Sequence, residues 1–325
     1  MRDLRVIFMG TPDFAVTILK GLLEEKVNVV GVITAPDKPA GRGRKLNESA
    51  VKKIALENNL TILQPTNLKN EAFLKEFEAL KPNLNIVVAF RMLPKAVWQL
   101  PEYGTFNLHA SLLPQYRGAA PINWAIINGE TETGVTTFFI DDKIDTGEII
   151  LQSELDIKPN ETVGELHDKL MHLGSKVVND TVRLIEKGNV KTQKQPVKES
   201  KPAPKIYTET CKIDWDDSTD NIYNKIRGLN PYPTAWTTLY NNKEEYLVKI
   251  YDVKKEHIAH KNEFGKLLFS KKELKVSTKD GYIIIDSLKM AGKKKMDAKS
   301  LLNGFVFESN AKMLWSAYFQ RDSSF

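Results

Sequence analysis

Short apolar runs alternate with amphipathic stretches through the first 190 residues of the chain. The run Leu84–Phe90 (LNIVVAF) is apolar almost throughout, as expected of a strand that is buried on both faces of a sheet. Similar runs predict strands at Leu4–Met9, Asn28–Thr34, Thr105–His109, Gly134–Ile140 and Glu148–Leu155. Helical patterns follow Pro12 and cover Leu46–Asn58, Glu71–Leu80 and Glu161–Lys187. Because parallel strands are usually joined through helices, this alternation predicts a doubly wound, mostly parallel, Rossmann-like α/β sheet.

The composition changes near Gly188. Lys191–Lys205 is rich in lysine, contains three prolines and has few apolar residues to bury, which predicts an extended linker. Short β-like runs follow at Glu245–Tyr251, Gly265–Phe269, Glu273–Ser277 and Tyr282–Leu288, and one clear helix is predicted at Asp220–Leu229. We therefore expect a first domain over residues 1–190, a basic linker over 191–207 and a small OB-like β-barrel over 208–325.

The charge is unevenly distributed between these parts. Residues 1–190 carry 22 Lys and Arg against 24 Asp and Glu, whereas residues 191–325 carry 25 against 17. A nearly neutral first part and a basic second part favour a chemical domain joined to a module that meets a polyanion. A lysine-rich surface that only keeps the protein soluble is the alternative.

Other features exclude whole classes of protein. Cys211 is the only cysteine, so the chain has no intrachain disulfide and no cysteine-based zinc site. No apolar stretch approaches the roughly 18 residues that a membrane span needs, and the N-terminus lacks a signal-peptide pattern. We expect a cytoplasmic protein that does not bind a membrane.

Three polar residues in Phe106–Gly147 form a candidate catalytic group. Asn107 and His109 lie two positions apart at the end of a predicted strand, so both side chains point to the same face. Ligands of open α/β sheets bind at the carboxyl ends of strands. If Asp145 lies beside His109, its carboxylate favours the protonated imidazole. An amide, an imidazole and a carboxylate together can stabilise an oxyanion and move a proton.

The segments around these residues resemble those of a known family. Ser111–Pro114 (SLLP) and Arg117–Ile122 (RGAAPI), together with Asn107, His109 and Asp145, are similar to the formyltransferases that use 10-formyltetrahydrofolate. Further segments are similar to the members that act on methionyl-tRNA: Phe8–Phe14, Pro36–Leu46, Val88–Pro94 and Ile226–Trp236. The chain departs from most members at Phe90-Arg91, where they carry Tyr-Gly.

The resemblance implies a formyltransferase fold and transfer of a formyl group to the methionyl amine of initiator methionyl-tRNA. It implies that Asn107, His109 and Asp145 are catalytic, and that folate is the co-substrate. The folate contacts that it implies are Ser111, Leu112, Leu113, Pro114, Phe90 and Arg91. The tRNA contacts that it implies, in a basic loop and near the domain junction, are Lys38, Arg42, Arg44, Lys45 and Lys205. We expect a monomer that holds no metal.

Some alternatives stay open from the sequence. The same catalytic group occurs in formyltransferases or deformylases that act on a small amine, and a non-catalytic RNA-binding protein is a further possibility. Leu112 and Leu113 could simply be core residues of a loop, and the basic loop could be a solvated surface. Four aromatic residues of the second domain could stack on RNA, but the core is the more common place for them: Trp215, Tyr223, Tyr232 and Trp236.

Overall fold

A computed structural model describes residues 1–40, 45–196 and 200–314, and it divides into two compact units. The first unit comprises Met1–Pro121, Glu132–Asp156 and His167–Pro204. The second comprises Ile122–Thr131, Ile157–Leu166 and the chain from Lys205 onward.

The second unit is therefore discontinuous in sequence, unlike the continuous domains predicted above. Hydrogen bonds explain why its two short segments group with the later part of the chain. Asn123 Nδ2 donates to the carbonyl of Gly228 over 2.8 Å, and Arg227 Nη1 donates to the carbonyl of Glu161 over 3.0 Å.

The helices and strands up to residue 204 are, in chain order, β1 (Val6–Gly10), α1 (Asp13–Glu24), β2 (Val29–Ile33), β3 (Lys38–Ala40), β4 (Lys45–Asn47), α2 (Ala50–Glu57), β5 (Ile62–Leu63), α3 (Glu71–Ala79), β6 (Leu84–Val88), α4 (Lys95–Trp98), β7 (Thr105–His109), β8 (Arg117–Gly118), α5 (Pro121–Ile127), β9 (Glu132–Phe139), β10 (Ile149–Asp156), α6 (Val163–Lys187) and β11 (Pro202–Ala203).

Seven of these strands form one sheet in the order β10-β9-β7-β6-β1-β2-β5. Strands β7, β6, β1, β2 and β5 are parallel, whereas β9 pairs antiparallel with both β7 and β10. The predicted mostly parallel sheet is confirmed. Strands β9 and β10 are the antiparallel exception, because a loop without a helix joins them and makes them a hairpin.

Two local predictions differ from the structure. The helix expected to begin at Leu46 begins at Ala50 instead, because Lys45–Asn47 pairs with Lys38–Ala40 as a strand. The side chain of Ser49 caps this helix by accepting the N–H of Lys52 over 3.0 Å. The described part of the predicted extended linker also forms backbone pairs, since β11 pairs with β8 and Gln193 bridges to Ile149.

The elements of the second unit beyond residue 204 are a 3-10 turn (Glu209–Cys211), α7 (Thr219–Gly228), β12 (Ala235–Asn241), β13 (Glu244–Ile250), β14 (Val253–Glu256), β15 (Leu267–Phe269), β16 (Leu274–Ser277), β17 (Tyr282–Ile285), β18 (Ser287–Met290), β19 (Met296–Asp297), α8 (Ala298–Gly304) and β20 (Lys312–Leu314).

These strands form two antiparallel sheets around one hydrophobic core, as expected of the OB-like domain. Trp215 is almost completely buried in this core, and its Nε1 donates to Thr237 Oγ1 over 3.0 Å. Tyr223 is also buried, whereas Tyr232 is 82% exposed. Of these three aromatic residues, only Tyr232 presents its ring to solvent.

No helix among the described residues is long and apolar enough to cross a membrane.

Candidate active site

Strand β7 brings two of the predicted catalytic residues to the carboxyl edge of the sheet. Alternation along the strand directs Asn107 and His109 to one face, and Leu108 to the other. Leu108 packs against Gly174 of α6. A Cβ added at Gly174 would lie only 2.8 Å from Leu108 Cδ2, so the two residues are in close contact. The close packing behind Leu108 therefore fixes the face on which Asn107 and His109 lie.

Both ring nitrogens of His109 face oxygen atoms of the protein. Its Nε2 lies 2.8 Å from the carbonyl oxygen of Tyr116, and its Nδ1 lies 3.8 Å from Asp145 Oδ2. A carbonyl oxygen only accepts hydrogen bonds, so Nε2 carries the proton of this contact. The Nδ1 contact is within ion-pair range but is longer than a hydrogen bond. When Nδ1 is protonated as well, the imidazolium faces a carboxylate. His109 itself is 6% exposed, so little water screens this pair.

The backbone around Asp145 holds its carboxylate in place. Asp145 Oδ2 accepts the backbone N–H of Gly118 over 2.9 Å. Asp145 itself has a positive φ of 55°, a conformation that costs free energy in a non-glycine residue. Two residues later, a Cβ at Gly147 would lie 1.6 Å from the carbonyl oxygen of Phe139, so only glycine fits there. The structure thus brings the three predicted catalytic residues to one edge of the sheet.

Asn107 keeps its amide group uncommitted. It is half-buried, and within the described part of the chain its side chain has no hydrogen-bond partner. A donor amide in this position can bind an oxygen atom of a substrate without first breaking a bond to the protein.

The predicted folate-binding stretch Ser111–Pro114 is mostly tied to the protein. Ser111 is fully buried and its hydroxyl donates to the carbonyl of Gln115 over 2.6 Å. Leu113 packs with Phe138 and Ile149 in a small core cluster. Leu112 and Pro114 are half-buried and keep some apolar surface exposed. The folate contacts of this stretch stay a prediction, and these two residues are the members with surface to offer.

The other predicted folate residues follow β6. Arg91 is exposed, and its guanidinium donates to the carbonyls of Pro65 and Thr66, the latter over 2.9 Å. The same guanidinium lies 5.7 Å from the centre of the Phe90 ring. Their contact with folate also stays a prediction.

The predicted tRNA-binding residues are described only in part. Lys38 and Lys205 are exposed, and Lys205 Nζ lies 5.5 Å from the centre of the Tyr207 ring. Lys45 belongs to β4. Arg42 and Arg44 lie outside the described residues.

A polar cluster lies directly before Lys38. The carboxylate of Asp37 accepts hydrogen bonds from Lys52 and, over 2.8 Å, from Gln64. These bonds, first that of Lys52 and then that of Gln64, hold the pKa of Asp37 below its ordinary value.

One partner of the site was not predicted from the sequence. The backbone carbonyl of Tyr116 fixes Nε2 of His109, and a backbone group has no side-chain signature. The nearest signal was the dense motif around it, which placed the whole loop near the site. The described residues contain no group of three or more His, Cys, Asp and Glu that could hold a metal ion.

Fold and site together define an α/β protein with an amide, an imidazole and a carboxylate gathered at the carboxyl edge of its sheet. Comparison with known proteins identifies the family to which this α/β protein belongs. Residues 4–182 match the family "Formyl transferase", and residues 205–306 match "Formyl transferase, C-terminal domain". The chain belongs to the formyltransferase family.

Relatives match over nearly the full chain. A methionyl-tRNA formyltransferase of Flavobacterium johnsoniae is 60% identical over 314 residues, which cover 96% of this chain and 100% of the relative. A methionyl-tRNA formyltransferase of Bacteroides thetaiotaomicron is 52% identical over 317 residues, covering 96% and 98%.

Solved structures share the fold at lower identity. An N-formyltransferase of Helicobacter canadensis, in complex with folinic acid and dTDP-3-aminofucose, is similar with a TM-score of 0.66 and 21% identity. The match covers 90% of this chain and 100% of that one. HypX of Aquifex aeolicus, in complex with tetrahydrofolic acid, has a TM-score of 0.62 and 19% identity, covering 93% and 47%.

Proposed function

We propose that this protein transfers the formyl group of 10-formyltetrahydrofolate to the α-amino group of methionine carried by initiator tRNA. The observation that carries the proposal is the 60% identity to a methionyl-tRNA formyltransferase, which extends over both units of the chain. Neither a small-amine substrate nor a non-catalytic role is favoured by a specific observation.

The reaction needs no nucleophile from the protein, because the substrate amine supplies it. The neutral methionyl amine attacks the formyl carbon, and a C–N bond forms while the carbonyl oxygen becomes an oxyanion. The bond between the formyl carbon and N10 of the folate then breaks. The amine loses a proton and N10 gains one, so the products are N-formylmethionyl-tRNA and tetrahydrofolate.

In this proposal Asn107, His109 and Asp145 have different roles in the reaction. The free amide of Asn107 donates to the oxyanion. Protonated His109 contributes positive charge beside it, and Asp145 stabilises that charge from 3.8 Å. Proton removal from the amine proceeds through water on the Asp145 side of the imidazole.

The substrate contacts in the proposal follow the family resemblance. Leu112 and Pro114 form one wall for the flat pteridine or its linker. Exposed cations engage the phosphates of the tRNA, among them Lys38 and Lys205, and the second unit adds a basic surface. We further propose that the protein acts in the cytoplasm and that it is a monomer. Light scattering of the purified protein tests the monomeric state.

A direct assay tests the function. The purified protein is given 10-formyltetrahydrofolate with initiator methionyl-tRNA, elongator methionyl-tRNA or a dTDP-amino sugar. We expect rapid formylation of the initiator methionyl-tRNA, which His109→Ala abolishes. Preferential formylation of the amino sugar would replace this proposal with the small-amine alternative. Binding of the tRNA without any turnover would favour the non-catalytic one.

A further inference from the structure

We propose that Gln195 is a positioning residue for the reaction, and that Gln195 together with residues 201–203 holds the carboxylate of Asp145 and the carbonyl of Tyr116 around His109. This inference rests on the proposed function, because its test measures formyl transfer. Gln195 lies in the stretch expected from the sequence to be only a linker.

The side chain of Gln195 connects the loop of Asp145 with the loop of Tyr116. Its Nε2 donates to the carbonyl of Asp145 over 3.0 Å and to the carbonyl of Gly147 over 2.8 Å. Its Oε1 accepts from Arg117, over 2.6 Å from Nη2 and 3.2 Å from Nε. The side-chain amide thus uses both of its N–H donors and its oxygen in bonds to Asp145, Gly147 and Arg117.

The backbone of residues 201–203 binds the chain around Tyr116. The N–H of Tyr116 donates to the carbonyl of Lys201 over 2.7 Å, and the N–H of Lys201 donates to Gln115 Oε1 over 2.9 Å. Strand β11 then pairs with β8, with Pro202 beside Arg117 and Ala203 beside Gly118. Ala203 itself is completely buried, so the strand pair is anchored at this residue.

These contacts converge on His109 from both sides. The carbonyl of Tyr116 meets Nε2 of the imidazole, and the carboxylate of Asp145 lies near Nδ1. Gln195 holds the backbone of Asp145 at the position where φ is positive, so the conformation that aims the carboxylate has an external support. Loss of this support lets the carboxylate move relative to the imidazole, and a displacement of about 1 Å in a catalytic group can cost about 10²-fold in rate.

The test uses two substitutions of Gln195 in the full-length protein. Gln195→Leu removes all of the side-chain hydrogen bonds. Gln195→Glu keeps an acceptor for Arg117 but places a carboxylate against the carbonyls of Asp145 and Gly147, to which it cannot donate. We expect both variants to lose about 10²-fold in kcat while KM for folate and for tRNA changes less than about 2-fold.

A double-mutant comparison separates positioning from a general structural effect. In an Asp145→Asn background, Gln195→Leu should lower kcat by less than about a further 3-fold, because the effects of residues that act as a unit are not additive. Gln193→Leu is the matched control, since that side chain is exposed and its contact with Ile149 is through the backbone. It should keep the wild-type kcat.

Three results would overturn the inference. They are a wild-type kcat in Gln195→Glu, a further fall of about 10²-fold in kcat when Gln195→Leu is added to Asp145→Asn, or an increase in KM with kcat unchanged. If Gln195→Leu does not give a cooperative unfolding transition, Gln195→Glu is judged by the same criteria. An inactive wild-type protein would instead contradict the proposed function, so the two failures are distinguishable.

Discussion

The backbone N–H of Gly118 donates to Asp145 Oδ2 over 2.9 Å, and this bond joins β8 to a turn 27 residues later in the sequence. The same oxygen lies 3.8 Å from Nδ1 of His109. A carboxylate held by a backbone amide on one side and facing an imidazole on the other has little freedom to turn away. Substitution of residues on either side of this bond therefore measures what the arrangement contributes.

Asp145→Asn removes the charge beside His109 while leaving an oxygen that can still accept the Gly118 N–H. We expect kcat to fall by about 10²–10³-fold, because the imidazole loses its stabilising anion and the oxyanion loses a cationic neighbour. Steady-state formylation of methionyl-tRNA measures this loss. Asp142→Asn is the control, since Asp142 is exposed, pairs with the exposed Lys95 and should keep full activity. Equal rates in the two variants would remove the role of Asp145.

Asn107→Ala tests the free amide. Because this side chain has no partner among the described residues, its loss should leave the thermal unfolding temperature within about 1 °C of wild type. Activity should nevertheless fall by about 10²–10³-fold in kcat, as expected on losing one oxyanion donor. A variant that is inactive because it is unfolded, or fully active, would contradict this assignment.

Gly118→Ala tests the close contact between β8 and β11. Gly118 has a φ of +126°, and a Cβ added there would lie 2.5 Å from the carbonyl oxygen of Ala203. We expect a loss of about 1–3 kcal/mol in the free energy of unfolding, together with a fall in kcat. Urea unfolding and formylation rates measure the two effects.

The matched control for this substitution is Gly292→Ala. Gly292 also has a positive φ, of +72°, but a Cβ added there meets nothing within 4 Å. It should therefore show only the conformational cost of the new side chain and keep the wild-type kcat. If both variants behave alike, the contact with Ala203 carries no function.

The proximity of the candidate catalytic residues could be predicted from the sequence because they flank a dense local motif, while their catalytic role stays a prediction. Asn107 and His109 lie on a strand whose alternation fixes their face, and Asp145 lies in the turn before β10. The contact of Gln195 could not be predicted, because its side chain donates to the carbonyl of Asp145 across 50 residues from a polar stretch without periodicity. The antiparallel direction of β9 could not be predicted either, because an apolar run indicates a strand but not its direction relative to its neighbours.

Arg42→Ala tests the basic segment between β3 and β4. If its charge contacts a tRNA phosphate, KM for methionyl-tRNA should rise much more than KM for folate. The slope of the logarithm of tRNA affinity against the logarithm of salt concentration should become less steep by about one unit. Initial rates across a series of KCl concentrations measure both effects. Lys75→Ala on α3 is the control, since it removes an exposed charge from a helix elsewhere. Equal losses for both substrates would contradict the predicted contact.

The hydrogen bonds of Asp37 predict a pH dependence of stability. Lys52 and Gln64 lower the pKa of Asp37 in the folded protein, whereas the unfolded chain has the ordinary value of about 4. The ionised form therefore stabilises the folded state above that pH, and this contribution is lost as the pH falls through the lower, folded pKa. We expect the wild type to be more stable than Asp37→Asn at pH 6, and the difference to shrink progressively below pH about 4. Urea unfolding of both proteins between pH 6 and pH 3 measures it, and a difference that is constant or grows on acidification would show that Asp37 does not act through its charge.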